Sequence, residues 1–297
     1  MLPTLPHNTA PLRHTLAPPD SVSHTSGWRA HLKLRYSARD SKTVLLEQQH
    51  AGPLFVQKPF YPEGSQTCHT YLVHPPGGVV GGDTLGLDVT VESLGHAMVT
   101  TPAAGKFYRS AGPQAVQINE FTVADGAALE WLPQETILYN QANAKMRTTV
   151  RLEKGARFIG WEMICLGLPA AKQLFSLGRL DQRFEILREN QPVFIEPFRI
   201  QAHDPVLTAR WGLGGRPAIG TMVATTADKA LLRAIREKTK PKDETDEFAA
   251  TQINDLTICR FVGSDVYAGF RYFLHAWHVL RPVVMERPVC LPRIWAT

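Results

Sequence analysis

The stretch Trp28-Arg29-Ala30-His31-Leu32-Lys33-Leu34-Arg35 sets apolar side chains at every second position and polar, mostly basic ones between them. Successive strand residues point to opposite faces, so this spacing predicts a strand with one dry and one wet side. Working outward, similar short runs at 43–48, 53–57, 67–73, 85–91, 96–100, 115–123, 127–131, 146–152, 156–166, 183–188 and 193–200 are punctuated by Gly, Pro, Asp and Asn. Such a series without alternating helices excludes a doubly wound sheet. It predicts a β-dominated body of many short strands in stacked or coiled sheets. No fixed-period repeat is visible that would establish a solenoid.

Helical periodicity enters only late. Thr226 is placed to cap a segment with Leu231, Leu232 and Ile235 on one stripe, and Ser264 a second with Val266, Phe270, Phe273, Leu274 and Trp277 on one face. Arg281-Pro282 is expected to end the second helix, and the two are expected to pack together at one edge of the sheets. Residues 1–26 read as a tail and 27–297 as a single β-rich domain, with a charged loop near 238–248.

The chain has 297 residues, 44% hydrophobic and 20% charged, which is the composition of a globular protein with a sizeable core. Its net charge of +5 is spread among both signs. Nucleic-acid binding needs a concentrated basic stripe, so no nucleic-acid partner is expected, whereas an acidic protein partner fits. The four cysteines are far apart and form no CxxC pair, consistent with reduced thiols. Neither a secretory leader nor a run of about 20 apolar residues is present, so a cytoplasmic location without membrane partners is expected.

Motifs for catalysis are missing. Gly105-Lys106 lacks both the leading glycine and the following Ser or Thr of a P-loop, and Pro217 breaks the dinucleotide-type run Gly212, Gly214, Gly215. There is no GxSxG elbow and no HExxH helix, which leaves a hydrolase assembled from distant residues as the remaining catalytic option. Cys68 and His74 would stand about 20 Å apart along a strand, with His69 on the other face, so one site from all three is not expected. His275 and His278 are one helical step apart, yet the helix face is already explained by packing. Four glycines within 77–82 imply tight bends that something else approaches closely.

Several blocks then act together: Gln57-Lys58-Pro59-Phe60-Tyr61-Pro62, Tyr71-Leu72-Val73-His74-Pro75-Pro76-Gly77-Gly78-Val79-Val80-Gly81-Gly82-Asp83, and Thr101-Pro102 with Lys106-Phe107-Tyr108-Arg109-Ser110. They are followed by Leu129-Glu130-Trp131-Leu132-Pro133-Gln134-Glu135-Thr136-Ile137, Gly160-Trp161-Glu162 and Pro292-Arg293-Ile294-Trp295-Ala296-Thr297. In this order they resemble the urease accessory protein UreD (UreH) family from near residue 28 to the end. The stretch Cys165 to Ala171 departs from the family's more polar continuation.

The resemblance implies a non-enzymatic urease maturation factor. It would bind a UreF-type protein and, through it, a UreG-type GTPase, dock on apo-urease, and help nickel into the active site. No tightly bound cofactor is implied, only transient Ni²⁺. The alternative is a pure interaction chaperone that holds apo-urease open without conducting nickel. For a nickel path the candidate residues are His74, Asp83, Glu135 and Glu162, since carboxylates attract the ion and imidazole is a borderline ligand. For an interface they are Tyr61, Lys106, Tyr108 and Arg109. Trp131 is expected in the core because it shares a strand face with Leu129.

Overall fold

The computed structural model describes residues 27–240 and 245–296; the tail at 1–26 and the middle of the charged loop lie outside the described residues. In chain order the strands are β1 (Arg29–Arg39), β2 (Lys42–Ala51), β3 (Phe55–Phe60), β4 (Cys68–Val73), β5 (Thr84–Val91), β6 (His96–Thr100), β7 (Gly105–Phe107), β8 (Ala115–Val123) and β9 (Ala128–Leu132). There follow β10 (Thr136–Leu138), β11 (Asn143–Leu152), β12 (Arg157–Leu166), β13 (Arg179–Arg188), β14 (Gln191–Gln201), the single turn α1 (Pro205–Thr208) and β15 (Ala218–Ala224). The chain closes with α2 (Lys229–Lys238), β16 (Glu247–Ile253), β17 (Leu256–Gly263) and α3 (Val266–Val284).

The strands form two facing sheets, ordered β14-β13-β11-β8-β5-β1-β2 and β16-β17-β15-β12-β9-β6-β4-β3, with β7 and β10 attached to the second. From β4 to β13 the chain winds alternately through them, and neighbours within each sheet are parallel. The body is therefore a coil of stacked rungs, as the tandem short strands predict. Its period varies, which hides it from a repeat search. The stacked positions Cys68, Ala97, Leu129 and Phe158 are separated by 29, 32 and 29 residues, and Val89, Phe121, Val150 and Ile186 by 32, 29 and 36. Every one of these side chains is buried between the sheets.

Each rung turns its corner in the same way. The amides of Gly95, Ala127 and Ala156 bond the carbonyls of Glu92, Ala124 and Glu153, three residues earlier in each case. A positive φ at Leu94 and at Gly126 lets two of these corners close. Beyond the coil, β15, β17 and β16 extend the second sheet by antiparallel pairing. The sequence reading missed β15 and β17 because burial on both faces weakens their alternation, and β16 because only Ala250 is buried along it; β7 and β10, at three residues each, are too short to show a period.

Helices α2 and α3 pack against each other, and α3 lies on the outer face of β12, β15 and β17. Their starts differ from expectation. Asp228 caps α2, accepting from the amides of Ala230 and Leu231, while Asp265 caps α3. In both places a carboxylate one or two residues downstream outcompetes the hydroxyl, favoured by the positive helix end. Helix α3 also runs past Pro282 to Val284. In the last turn the imino ring removes one hydrogen bond, while burial of Leu280, Arg281 and Val284 holds the helix on the sheet. No helix among the described residues is long and apolar enough to cross a membrane.

A buried ionic chain fastens α3 to the coil. Arg281, fully buried, donates from Nε to the Glu130 carboxylate at 3.0 Å and from Nη2 to Glu63 Oε1 at 2.6 Å; Trp277 Nε1 donates to Glu130 at 2.8 Å. His96 meets Glu130 at 3.0 Å and His69 meets Glu63 at 2.6 Å. Burial alone would raise the Glu130 pKa, but the bond from His96 and the charge of Arg281 overcome it and hold the carboxyl at about 2. Folding therefore draws stability from this group above its ordinary value of 4.5, and loses it as pH falls toward 2, an effect of about 3 kcal/mol. Replacing Glu130 with Ala leaves the buried guanidinium with Glu63 as its remaining carboxylate partner and its Nε without an acceptor. We expect a loss of about 3–5 kcal/mol in urea denaturation at pH 7, and a much smaller difference from wild type near pH 2.

Candidate functional site

The gap between the sheets is not uniformly apolar. Along β12 the odd positions Ile159, Trp161 and Met163 face α3, while Phe158, Glu162 and Ile164 face inward. Glu162 is thus a carboxylate at a core position. Opposite it, inward positions of otherwise apolar strands are polar as well: Asn119 in β8, Thr148 in β11 and Gln182 in β13. Asn119 Nδ2 donates to Thr148 Oγ1 at 2.9 Å, the Thr148 hydroxyl donates to Glu162 Oε1, and Gln182 Nε2 donates to Glu162 Oε2. Burial raises the Glu162 pKa; the bonds from Thr148 and Gln182 oppose this, the nearby charge of Glu196 adds to it, and the net direction is up.

Glu162 stands between two cavities and lines both. The first, about 180 Å³, is also bordered by His74, Lys106, Gln117, Asn119 and Trp131. The second, about 170 Å³, is bordered by Gln182, Glu196, Thr221, Arg260 and Phe261. Across the second sheet Glu162 pairs with Thr221 and Thr221 with Arg260, so these three form one row. A polar track therefore runs from the first cavity, past Glu162, to the Glu196–Arg260 ion pair at 2.6 Å. Nε2 of His74 and Nε1 of Trp131 are buried without a partner among the described residues. Groups of this kind cost about 1–3 kcal/mol unless hydrated, and both line a cavity with room for several waters.

The remaining sequence candidates lie as follows. His74 is half-buried against Trp28, with ring centroids 5.2 Å apart; burial lowers its pKa and the Asp83 charge partly opposes this. Asp83 is buried and serves a turn, accepting from the amides of Trp28 at 3.1 Å and Val80 at 2.9 Å. Glu135 is buried outside both cavities; desolvation, then Glu135, then Asp265 push the Cys165 thiol up to about 11. Lys106 lines the first cavity. Tyr108 packs on Tyr139 at 4.9 Å, and a Cβ on Gly78 would stand 2.3 Å from the Tyr108 ring, so the close approach implied by that glycine comes from the chain itself. Arg109 is exposed and makes no ion pair among the described residues. Tyr61 lies under Lys42, with 4.6 Å from Nζ to the ring centroid. Trp131 is in the core, against Phe121.

Among the described residues no three His, Cys, Asp or Glu side chains gather to hold a metal ion. Oxygen and nitrogen donors are instead spread along the track.

The family model for the UreD urease accessory protein matches residues 29–296, nearly the whole described chain. The chain belongs to the UreD family. It is 42% identical over 281 residues to the urease accessory protein UreD of Citrobacter koseri, covering 94% of this chain and 96% of that one. The UreD of Dechloromonas aromatica is 40% identical over 285 residues, covering 94% and 98%, and that of Pseudomonas entomophila 42% over 273 residues, covering 91% and 95%. UreD membership gives the chain an accessory role in urease maturation rather than catalysis of its own.

Because the Glu162 proton is held more tightly in the folded chain than in the unfolded one, folded stability declines as pH rises above the ordinary carboxylate range. Replacement by Gln removes this titration. Subtracting E162Q stability from that of wild type, at pH values stepped upward from the ordinary carboxylate range, should give a value that falls with pH; a flat difference would contradict the assigned burial effect.

Proposed function

We propose that this chain serves urease maturation as a scaffold that docks a UreF/UreG-type complex on apo-urease and lets nickel cross between its two sheets. The observation that carries the reading is the pair of cavities meeting at Glu162, inside a β-coil where apolar packing would otherwise be continuous. A core carboxylate is costly unless it is paired or has a use. Here it has two neutral donors and, among the described residues, no cation within hydrogen-bond reach. Its charge is left for a passing cation to neutralise.

The physical roles then divide. The coil and the α3 anchor keep the two inner faces apart at fixed spacing, so the track stays open without rearrangement. His74, kept neutral by burial, and Glu162 are the donors met from the first cavity. Asp83 acts one step back by fixing the turn at Val80, close to where His74 enters. Tyr61, Tyr108 and Arg109, on segments that link strands, and Lys106, in the short strand β7, are proposed as partner contacts.

The test is reconstitution of apo-urease with nickel, bicarbonate, GTP and the accessory proteins. Omitting this chain should abolish or strongly reduce activation. With E162Q we expect normal complex assembly by size-exclusion chromatography and at least a severalfold slower gain of urease-bound nickel. Unchanged transfer with intact assembly would reject the passage and leave a chaperone that only holds apo-urease open.

A further inference from the structure

Beside the second cavity, a partly exposed ion pair joins the two sheets. Glu196 reaches from β14 in the first sheet to Arg260 of β17 in the second, and the Nε–Oε1 distance is 2.6 Å. The pair is only partly covered, with side chains 42% exposed at Arg260 and 25% at Glu196. Exposed pairs of this kind contribute about 0–1 kcal/mol, so the guanidinium can swing into water at little cost. Glu196 is also close enough to Glu162 to raise the latter's pKa, which means that the two carboxylates act on the same interior space. Thr221 stands between Glu162 and Arg260 in the strand register and lines the same cavity.

We infer that Glu196 is a divalent-cation station at the outer mouth of the second cavity, with Arg260 as the placeholder cation that an arriving ion displaces. This rests on the passage proposed above and adds its outer end. A bare carboxylate at the mouth would be either a trap for a dication or an unpaired charge facing a low-dielectric gap. A guanidinium that pairs with it in the resting chain removes both difficulties. The ion exchanges one salt bridge for another, with hydroxyl and amide oxygens from Thr221 and Gln182 completing a weak oxygen-donor set. When the ion moves on, Arg260 returns and resets the mouth. No bond is made or broken except by coordination.

The purified full chain is titrated with Ni²⁺ alone by isothermal titration calorimetry. R260Q uncovers Glu196 and should bind nickel about tenfold more tightly than wild type. The gain should vanish in the R260Q/E196Q double variant, and R260K, which keeps the charge, should bind as wild type does. Wild-type affinity in R260Q, persistence of the gain in the double variant, or an equal gain in R260K would each overturn the assignment. Circular dichroism of each variant, unchanged from wild type, excludes nickel binding by histidines and cysteines exposed on unfolding. Failure of the passage itself would show instead in nickel transfer by E162Q, which this titration does not measure.

Discussion

Arg281 brings a full positive charge to the underside of the second sheet, and the arrangement of the whole molecule turns on its neutralisation. Two carboxylates from distant turns of the chain, Glu63 and Glu130, converge on it. Burial lowers the pKa of a guanidinium, yet the charge of Glu130 and the bonds it donates to Glu63 raise it overall. Removing water from three ionised groups is expensive, so the cluster is stable only with its geometry complete. That requirement fixes where α3 lies. With α3 in place, Trp161 and Met163 have an outer partner surface, and Glu162, between them in sequence, must point inward. The polar track is in this sense a result of the anchor on the opposite face of the same strand.

The coil and the track impose opposite demands on the same inner surfaces. Stacked rungs gain stability by burying columns such as Val89, Phe121, Val150 and Ile186. The track interrupts those columns with Asn119, Thr148, Gln182 and Glu162. Each polar group is therefore bonded to the next, which limits the energetic cost while leaving the carboxylate without a permanent counter-ion. A urease accessory protein that handed on a metal would need this compromise: enough polarity to admit the ion, and too little in any one place to keep it.

Much of the architecture was legible from local pattern. The strand 115–123 begins and ends where alternation placed it, because one face is dry and the other is not, and 96–100 keeps its expected bounds although both of its faces are buried. The winding was not legible, since rungs differ in length and no single period survives. At the site, Glu162, His74 and Lys106 came from motif segments and do line the first cavity. Asp83 and Glu135 came from the same segments but serve a turn and a buried position beside Cys165. Gln117, Asn119, Thr148 and Gln182 were overlooked, although a signal existed: each is a polar residue in the apolar phase of its strand. Glu196 and Arg260 gave no such signal. Their meeting depends on two strands from different sheets, 64 residues apart, and no local spacing reports it.

The position of Arg281 along the polypeptide carries a consequence for biosynthesis. It lies 151 residues after Glu130 and 218 after Glu63. At about 5–20 residues per second, a ribosome needs roughly ten to thirty seconds to progress from Glu130 to its counter-charge. During that interval the nascent rungs have two acids with no arginine to meet them, and the face later covered by α3 is open. The latch is made late in synthesis, so a chain cut short before Arg281 would leave Glu63 and Glu130 without it and the earlier coil unlatched.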